Sequence, residues 1–324
     1  MQPSRRAFLM GRATPRTPWQ VFCHSLRRVC AGELKVIQAA EAAPQARWTP
    51  VDGADVRQAR LLCLEHGVQL ALAGSAGAVD GRPVLWVDPA ALNRLVREPG
   101  AVPRWRAGPG VTLGQLAGVG LPQFTDADPA RTLAAWFADR RAAAWPTGRG
   151  DLSGVYEADV LLADGVAETL GPFGADDGRP LRSATLQQLV PALFRLASGE
   201  EARWCAEQPV WPARYRLDAL LPAAPATVNL GCLLHGHEGT LAWLESLVLQ
   251  APPQGLPSVS PPAMPAASRP ESLPASPTDS PTGSSPAAPE AAGAAMSLPP
   301  ARARALDRRI KDSFDPAGVF PEPA

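Results

Sequence analysis

The 324-residue sequence predicts an α+β fold. Several segments carry apolar residues at helical spacing between recognisable caps. Two strand-like runs, Val155 to Ala163 and Val166 to Leu170, are joined by Asp164-Gly165, the clearest hairpin signal in the chain. Two further short apolar runs flank a glycine-rich loop, Gly74-Ser75-Ala76-Gly77-Ala78-Val79-Asp80-Gly81. The length suits one large or two small domains.

Composition narrows the functions. The 31 basic and 31 acidic residues cancel, so no global field draws the chain to nucleic acid or an anionic membrane. Nearly all basic residues are arginine; Lys35 and Lys311 are the only lysines. The five cysteines, Cys23, Cys30, Cys63, Cys205 and Cys232, are scattered without a C-x-x-C pair. That pattern argues against a zinc or iron–sulfur site and suits buried thiols in a reducing compartment. No apolar run reaches the roughly 18 residues of a transmembrane helix.

From the N-terminus, Ser4-Arg5-Arg6-Ala7-Phe8-Leu9 looks like a twin-arginine export signal, but no apolar h-region follows. A cytoplasmic protein is expected, with export as the alternative. Arg5, Arg6, Arg12, Arg16, Arg27 and Arg28 form a basic arm without an aromatic platform, so nucleic acid is not an expected partner. Trp19, Phe22, Cys23, Leu26, Val29 and Cys30 share one face of a helix, with Thr17 and Gln20 as a capping box and Pro18 in its first turn. Asp52 caps a second helix that Gly67 ends. Val68 to Leu72 and Val84 to Val87 are strands around the glycine loop, which is either a backbone cradle for a pyrophosphate or a plain hairpin loop. Val102 to Ala107 is a strand, followed by a turn at Gly108 and a helix capped by Thr112. Ser183 caps a helix through Ala197, within a mostly helical stretch at 183–222. Leu233-Leu234-His235-Gly236-His237-Glu238-Gly239-Thr240-Leu241 reads as strand, turn and strand. Residues 251–300 are Pro, Ala and Ser and cannot bury enough apolar area to fold, so they form a disordered linker. Arg302 to Lys311 is helical.

Several of these segments, in this order, resemble FAD-linked oxidases with a PCMH-type FAD-binding domain, of the vanillyl-alcohol-oxidase superfamily. Gly236-His237-Glu238-Gly239-Thr240-Leu241 is similar to that family's G-S-E-G-T-L. Arg214-Tyr215-Arg216-Leu217-Asp218-Ala219-Leu220 resembles the segment that precedes it, with Arg214 in place of a glycine. Phe314-Asp315-Pro316-Ala317-Gly318-Val319-Phe320 resembles the family's C-terminus. The glycine loop resembles the short pyrophosphate loop of the small FAD-binding subunit of glycolate oxidase. Thr132-Leu133-Ala134-Ala135 stands where the family has T-x-G-G, and Gly150 lies in the approach to a flavin-facing strand.

The resemblance implies a two-subdomain α+β fold with flavin between residues near 45–115 and 120–250. It divides the chain into an N-terminal arm and helix (1–45), an FAD-binding domain (46–250), a linker (251–300) and a returning C-terminal helix and tail (301–324). The cap domain that holds substrate over the flavin in full family members is largely absent. The implied cofactor is non-covalent FAD, weak or lost. The implied contacts are Gly74, Ser75, Ala76, Gly77, Ala78, Gly108, Thr132, Ala134, Ala135, Gly150, Gly236, Glu238, Gly239, Thr240 and Leu241. If the family's glycine angles persist, Ala134 and Ala135 are strained and weaken binding. The implied activity is hydride transfer from a small 2-hydroxy acid such as glycolate to flavin, beside a larger flavoprotein or iron–sulfur subunit. The alternative is a non-catalytic scaffold for a complete flavoenzyme. No catalytic residue is identified; His235 and His237 are the only histidines near a cofactor motif, and no metal ligands are expected.

Overall fold

The computed structural model describes residues 17–37, 43–75, 81–174, 181–253 and 301–323. The twin-arginine run, Ala76, Gly77, Ala78 and nearly all of the linker lie outside the described residues. Contacts gather the described residues into one unit, Met1–Pro253 with Pro299–Ala324, while Gln254–Leu298 is the other.

The architecture is α+β. Helix α1 (Pro18–Val29) starts where local chemistry puts it: the Thr17 hydroxyl accepts from the Gln20 amide and the Gln20 side chain accepts from the Thr17 amide. Phe22, Cys23 and Leu26 are buried, but Val29, expected on the same face, is 53% exposed. The chain leaves the helix in extended conformation at Cys30, which is itself buried. Strands β1 (Glu33–Ile37) and β2 (Gln45–Thr49) precede helix α2 (Gly53–His66), which Asp52 caps and Gly67 ends. Strands β3 (Gln69–Leu72) and β4 (Val84–Val87) complete a sheet of order β1-β2-β4-β3.

Within that sheet β3 and β4 are parallel, with Gln69 opposite Val84 and Leu72 opposite Val87. Parallel neighbours require the chain to travel back along the strand length between them. Strands β3 and β4 therefore do not form a hairpin.

The second sheet is antiparallel throughout. It comprises β5 (Leu95–Glu98), β6 (Arg104–Ala107), β7 (Val155–Leu161), β8 (Ala167–Leu170) and β9 (Trp243–Gln250), in the order β5-β6-β9-β7-β8. Between β6 and β7 lie two short helices, α3 (Leu113–Gly118), capped by Thr112, and α4 (Leu133–Ala138), capped by Thr132. Between β8 and β9 come α5 (Ala184–Ala197), capped by Ser183, and α6 (Glu200–Ala206). Helix α7 (Ala301–Phe314) packs on both.

The expected strand before the 236–241 turn is not one. Leu230–Leu234 forms a 3-10 helix, whose start is held by the Asn229 side chain accepting from the Gly231 amide. Both edges of β9 are already paired, to β6 and β7, so the preceding apolar run has no open edge beside β9 and is buried as a compact turn. One apolar cluster runs through both sheets, with Phe22, Trp48, Phe124, Phe137, Tyr215 and Phe320 among its largest members. The described tail residues lie against the first sheet: the Leu70 amide on edge strand β3 donates to the Val319 carbonyl at 2.9 Å.

Candidate cofactor cleft

Three glycine-bearing or family-like segments meet between the sheets. At the end of β3 the Ser75 amide and hydroxyl both donate to the Leu72 carbonyl, at 3.1 and 2.9 Å. Against this turn sits Gly239, with φ +73. A Cβ there would stand 3.2 Å from Leu72 Cβ and 3.5 Å from Ser75 Oγ, a tight fit, and the angle itself favours glycine. On its other side the same turn is fastened to the end of α4: the Gly236 amide donates to Phe137 O and the Glu238 amide to Ala138 O, each at 2.8 Å. At the start of α4, Ala134 donates to Pro109 O at 2.9 Å, just after Gly108.

Gly74, Ser75, Thr132, Ala134, Ala135, Gly236, Glu238, Gly239, Thr240 and Leu241 thus lie on connected segments. Gly108 adjoins them through Pro109, while its own amide donates to Arg94 O. Gly150 stands apart, in a 3-10 turn whose closest neighbour is Cys232.

The expected strain at Ala134 and Ala135 is absent. Both lie within helix α4, and Thr132 caps it by accepting from the Ala135 amide at 3.3 Å. Among the described residues, Glu238 is the sole non-glycine with positive φ, at 54°. Alanine favours helix, so the replaced glycines stabilise α4.

The Glu238 side chain pairs with Arg214, at the position where the related segment has glycine. Burial lowers the Arg214 pKa and raises that of Asp307. Asp307, on α7, accepts from the Arg214 and Tyr215 amides at 3.1 Å each. The Tyr215 hydroxyl is 2.8 Å from Thr240 Oγ1. Lys311, nearly fully buried, donates to the Thr240 carbonyl at 2.8 Å, to Asp315 at 2.6 Å and to the Phe320 carbonyl at 3.2 Å. Asp315 in turn accepts from the Val319 and Phe320 amides. Sequence reading passed over Asp307 and the roles of Arg214 and Lys311.

The histidines are sealed. His235 is surrounded edge-to-face by Trp136, Trp145 and Phe137, with ring centroids at 4.5, 4.7 and 5.1 Å. Neither of its nitrogens has a hydrogen-bond partner among the described residues. Burial, then the nearby Arg216 charge, holds its pKa well below the usual value. Burial and Lys311 likewise bring His237 down to about 3. Both are neutral near pH 7, and His237 accepts only a long bond, 3.5 Å, from the Leu241 amide.

As arranged, the described residues around the 236–241 turn do not fit FAD. The cavity bounded by Leu70, Leu72, Ala134, His237, Gly239 and Trp243 has a volume of about 10 Å³, room for one water and not for a flavin ring. The amides of Gly236, Glu238, Thr240, Leu133 and Ala134 all donate to carbonyls of the chain itself. A diphosphate finds none of these donors open. Among the described residues no group of three or more His, Cys, Asp or Glu could hold a metal ion, and no helix is long and apolar enough to cross a membrane. The five cysteines are buried and unpaired.

No family model and no curated protein matches the chain. Among solved structures it is similar to glucooligosaccharide oxidase from Acremonium strictum, with 13% identity over 71% of this chain and 42% of the other, at a TM-score of 0.39. It is similar to an alkyldihydroxyacetonephosphate synthase, with 13% identity over 75% and 42%, at 0.42. It is also similar to 4-ethylphenol oxidase from Gulosibacter chungangensis, with 11% identity over 74% and 43%, at 0.42. The chain spans about two fifths of the length of each of these three structures.

Proposed function

We propose that the chain is an FAD-binding oxidoreductase subunit of PCMH type whose cofactor cleft is shut in the state described. One observation carries this reading. Leu72 and Ser75, at the end of β3, lie directly against Gly239 of the family-like turn, and that turn is fastened on its other side to α4. Three segments far apart in sequence, each singled out for its likeness to a flavin-contacting loop, are thereby neighbours. The finer proposal is a subunit of 2-hydroxyacid or glycolate oxidase type, acting with a larger flavoprotein or iron–sulfur subunit. It is supported by the order of the Arg214–Leu220, Gly236–Leu241 and Phe314–Phe320 segments. No residue is assigned a step in the reaction, because the residues as arranged leave no room for flavin.

A second reading is a non-catalytic partner subunit. It has its own observation, the small cavity with its internally paired amides. Titrating FAD into the purified full chain, with flavin fluorescence and visible absorbance as readouts, separates the two. Saturable binding with a perturbed flavin spectrum supports the first. No binding up to millimolar FAD, alone and in the presence of a larger flavoprotein subunit, supports the second.

A further inference from the structure

We propose that the open edge of β8 and the start of α5 form a docking groove for an extended, acidic peptide segment of a partner protein. The inference stands apart from the flavin reading and rests on the outer end of the second sheet alone.

Strand β8 is the last strand of its sheet, so only its inner edge is paired, to β7. The hairpin fixes which of its amides face outward. The Leu162 amide donates to the Val166 carbonyl at 2.9 Å. Bonded pairs alternate along an antiparallel ladder, so Glu168 and Leu170 turn their amides and carbonyls towards β7. Ala167 and Thr169 turn theirs away. Both residues are exposed, and neither amide has a partner among the described residues. A bare strand edge of this kind is a template for one more strand.

Beside that edge lies a recess of about 480 Å³. Binding pockets typically span roughly 300–1,000 Å³. One wall is β8 and the chain running on to Phe173; the other includes Leu181, Arg182 and Leu186. Two contacts set α5 beside the strand. The Thr185 hydroxyl donates to Asp164 Oδ2 at the hairpin tip, at 2.5 Å, and the Phe173 and Phe194 rings lie 5.8 Å apart beyond the end of β8. With the start of α5 as its second wall, the recess has room for a lone extended segment and not for the edge of another sheet.

Strand addition draws affinity from backbone bonds and specificity from the side-chain surroundings. Phe173, Leu181 and Leu186 offer apolar surface to alternate side chains of the guest. Arg182 is exposed and has no ion pair among the described residues, and no acidic side chain stands in the first turn of α5. Glu168, the acidic residue of the lining, belongs to the opposite wall. The α5 side of the groove therefore selects a carboxylate side chain on the guest.

The test uses the full chain and begins without a ligand. In residue-resolved hydrogen exchange, the Ala167 and Thr169 amides should exchange roughly tenfold or more faster than those of Glu168 and Leu170. Equal protection would mean that the chain covers its own edge, and the groove is then wrong. Protection that grows with protein concentration would assign the edge to a second copy and overturn the proposal equally. A phage-displayed library of random peptides is then selected on the chain. Enriched peptides should carry an acidic residue among alternating apolar ones and should protect the Ala167 and Thr169 amides. Ala167→Pro deletes one outward amide at a position where an edge strand tolerates proline. Arg182→Glu reverses the charge of an exposed side chain and keeps the test open should the first variant fold poorly. Each should weaken peptide binding roughly tenfold or more, with the melting temperature of Arg182→Glu unchanged. Peptides that bind Arg182→Glu as well as the natural chain, or that leave both amides unprotected, overturn the proposal, as does a selection that enriches no peptide.

Discussion

Thr132–Trp136 and Gly236–Leu241 touch through α4 and compare in opposite ways with the pattern they resemble. In the first, alanines replace two glycines of the related pattern, and sequence reasoning puts the strain there. In the second the glycines are kept, and sequence reasoning expects an intact turn. The structure reverses the assignment. Ala134 and Ala135 sit relaxed in a helix, while the one non-glycine at positive φ among the described residues, Glu238, is in the second segment. A glycine-to-alanine change matters only where the backbone angle demands glycine, and at Ala134 and Ala135, in helical conformation with their amides met by Pro109 O and the Thr132 hydroxyl, it does not.

The largest expected effect lies under the second segment. Asp307→Ala should lower unfolding stability by about 3–5 kcal/mol, because it strands the buried Arg214 and Tyr215 amides and removes a carboxylate beside buried arginines. Urea unfolding measures this. A loss under about 1 kcal/mol would mean that α7 does not support the turn.

Acid comes next. The folded-state pKa values of His235 and His237 are depressed, so the unfolded chain binds more protons, and their stability contribution is present above about pH 6.5 and lost as pH falls. For His237 that loss continues down to about pH 3. The slope should be about 1.4 kcal/mol per pH unit for each histidine. The raised Asp307 pKa works the other way, favouring the folded state once the pH reaches the carboxylate range. Melting temperatures across this range should fall less steeply for His237→Gln than for the natural chain; equal slopes would show that His237 is not buried neutral.

For the first segment, Ala134→Gly with Ala135→Gly should destabilise by up to about 2 kcal/mol through helix propensity alone and leave any FAD affinity unimproved. Tighter FAD binding by the double variant would restore the idea of a strained cradle. The smallest effect isolates Glu238: in an Arg214→Ala background, Glu238→Gly should stabilise by about 1 kcal/mol by relieving the positive φ once the ion pair is gone. Thermal melts of the four members of this cycle decide it.

What was legible in the sequence was local. Thr17, Asp52, Thr112 and Ser183 act through amides three residues on, so spacing alone reveals their helices. Asp164-Gly165 sets its hairpin in the same way, with the Asp164 side chain accepting from Val166. β1 and β2 were missed because five-residue segments that mix polar and apolar residues carry little periodic signal. The ionic supports of the turn were hidden by distance: Asp307 reaches Arg214 across 93 residues and Lys311 reaches Thr240 across 71. Resemblance brought the cleft segments together on paper, but it could not show that their amides are already paired.

The position of β9 has a bearing on how this protein is made. It is the central strand of the second sheet, yet the last of the described strands to be synthesised, and Arg104 meets Gln250 across 146 residues. Until the ribosome has released residue 250, β5-β6 and β7-β8 can exist only as two hairpins whose inward edges are bare. Such edges are sticky templates for other chains. Nascent polypeptides stalled or truncated before Trp243 should therefore be those most in need of a chaperone, while a stop within the linker releases a sheet already complete.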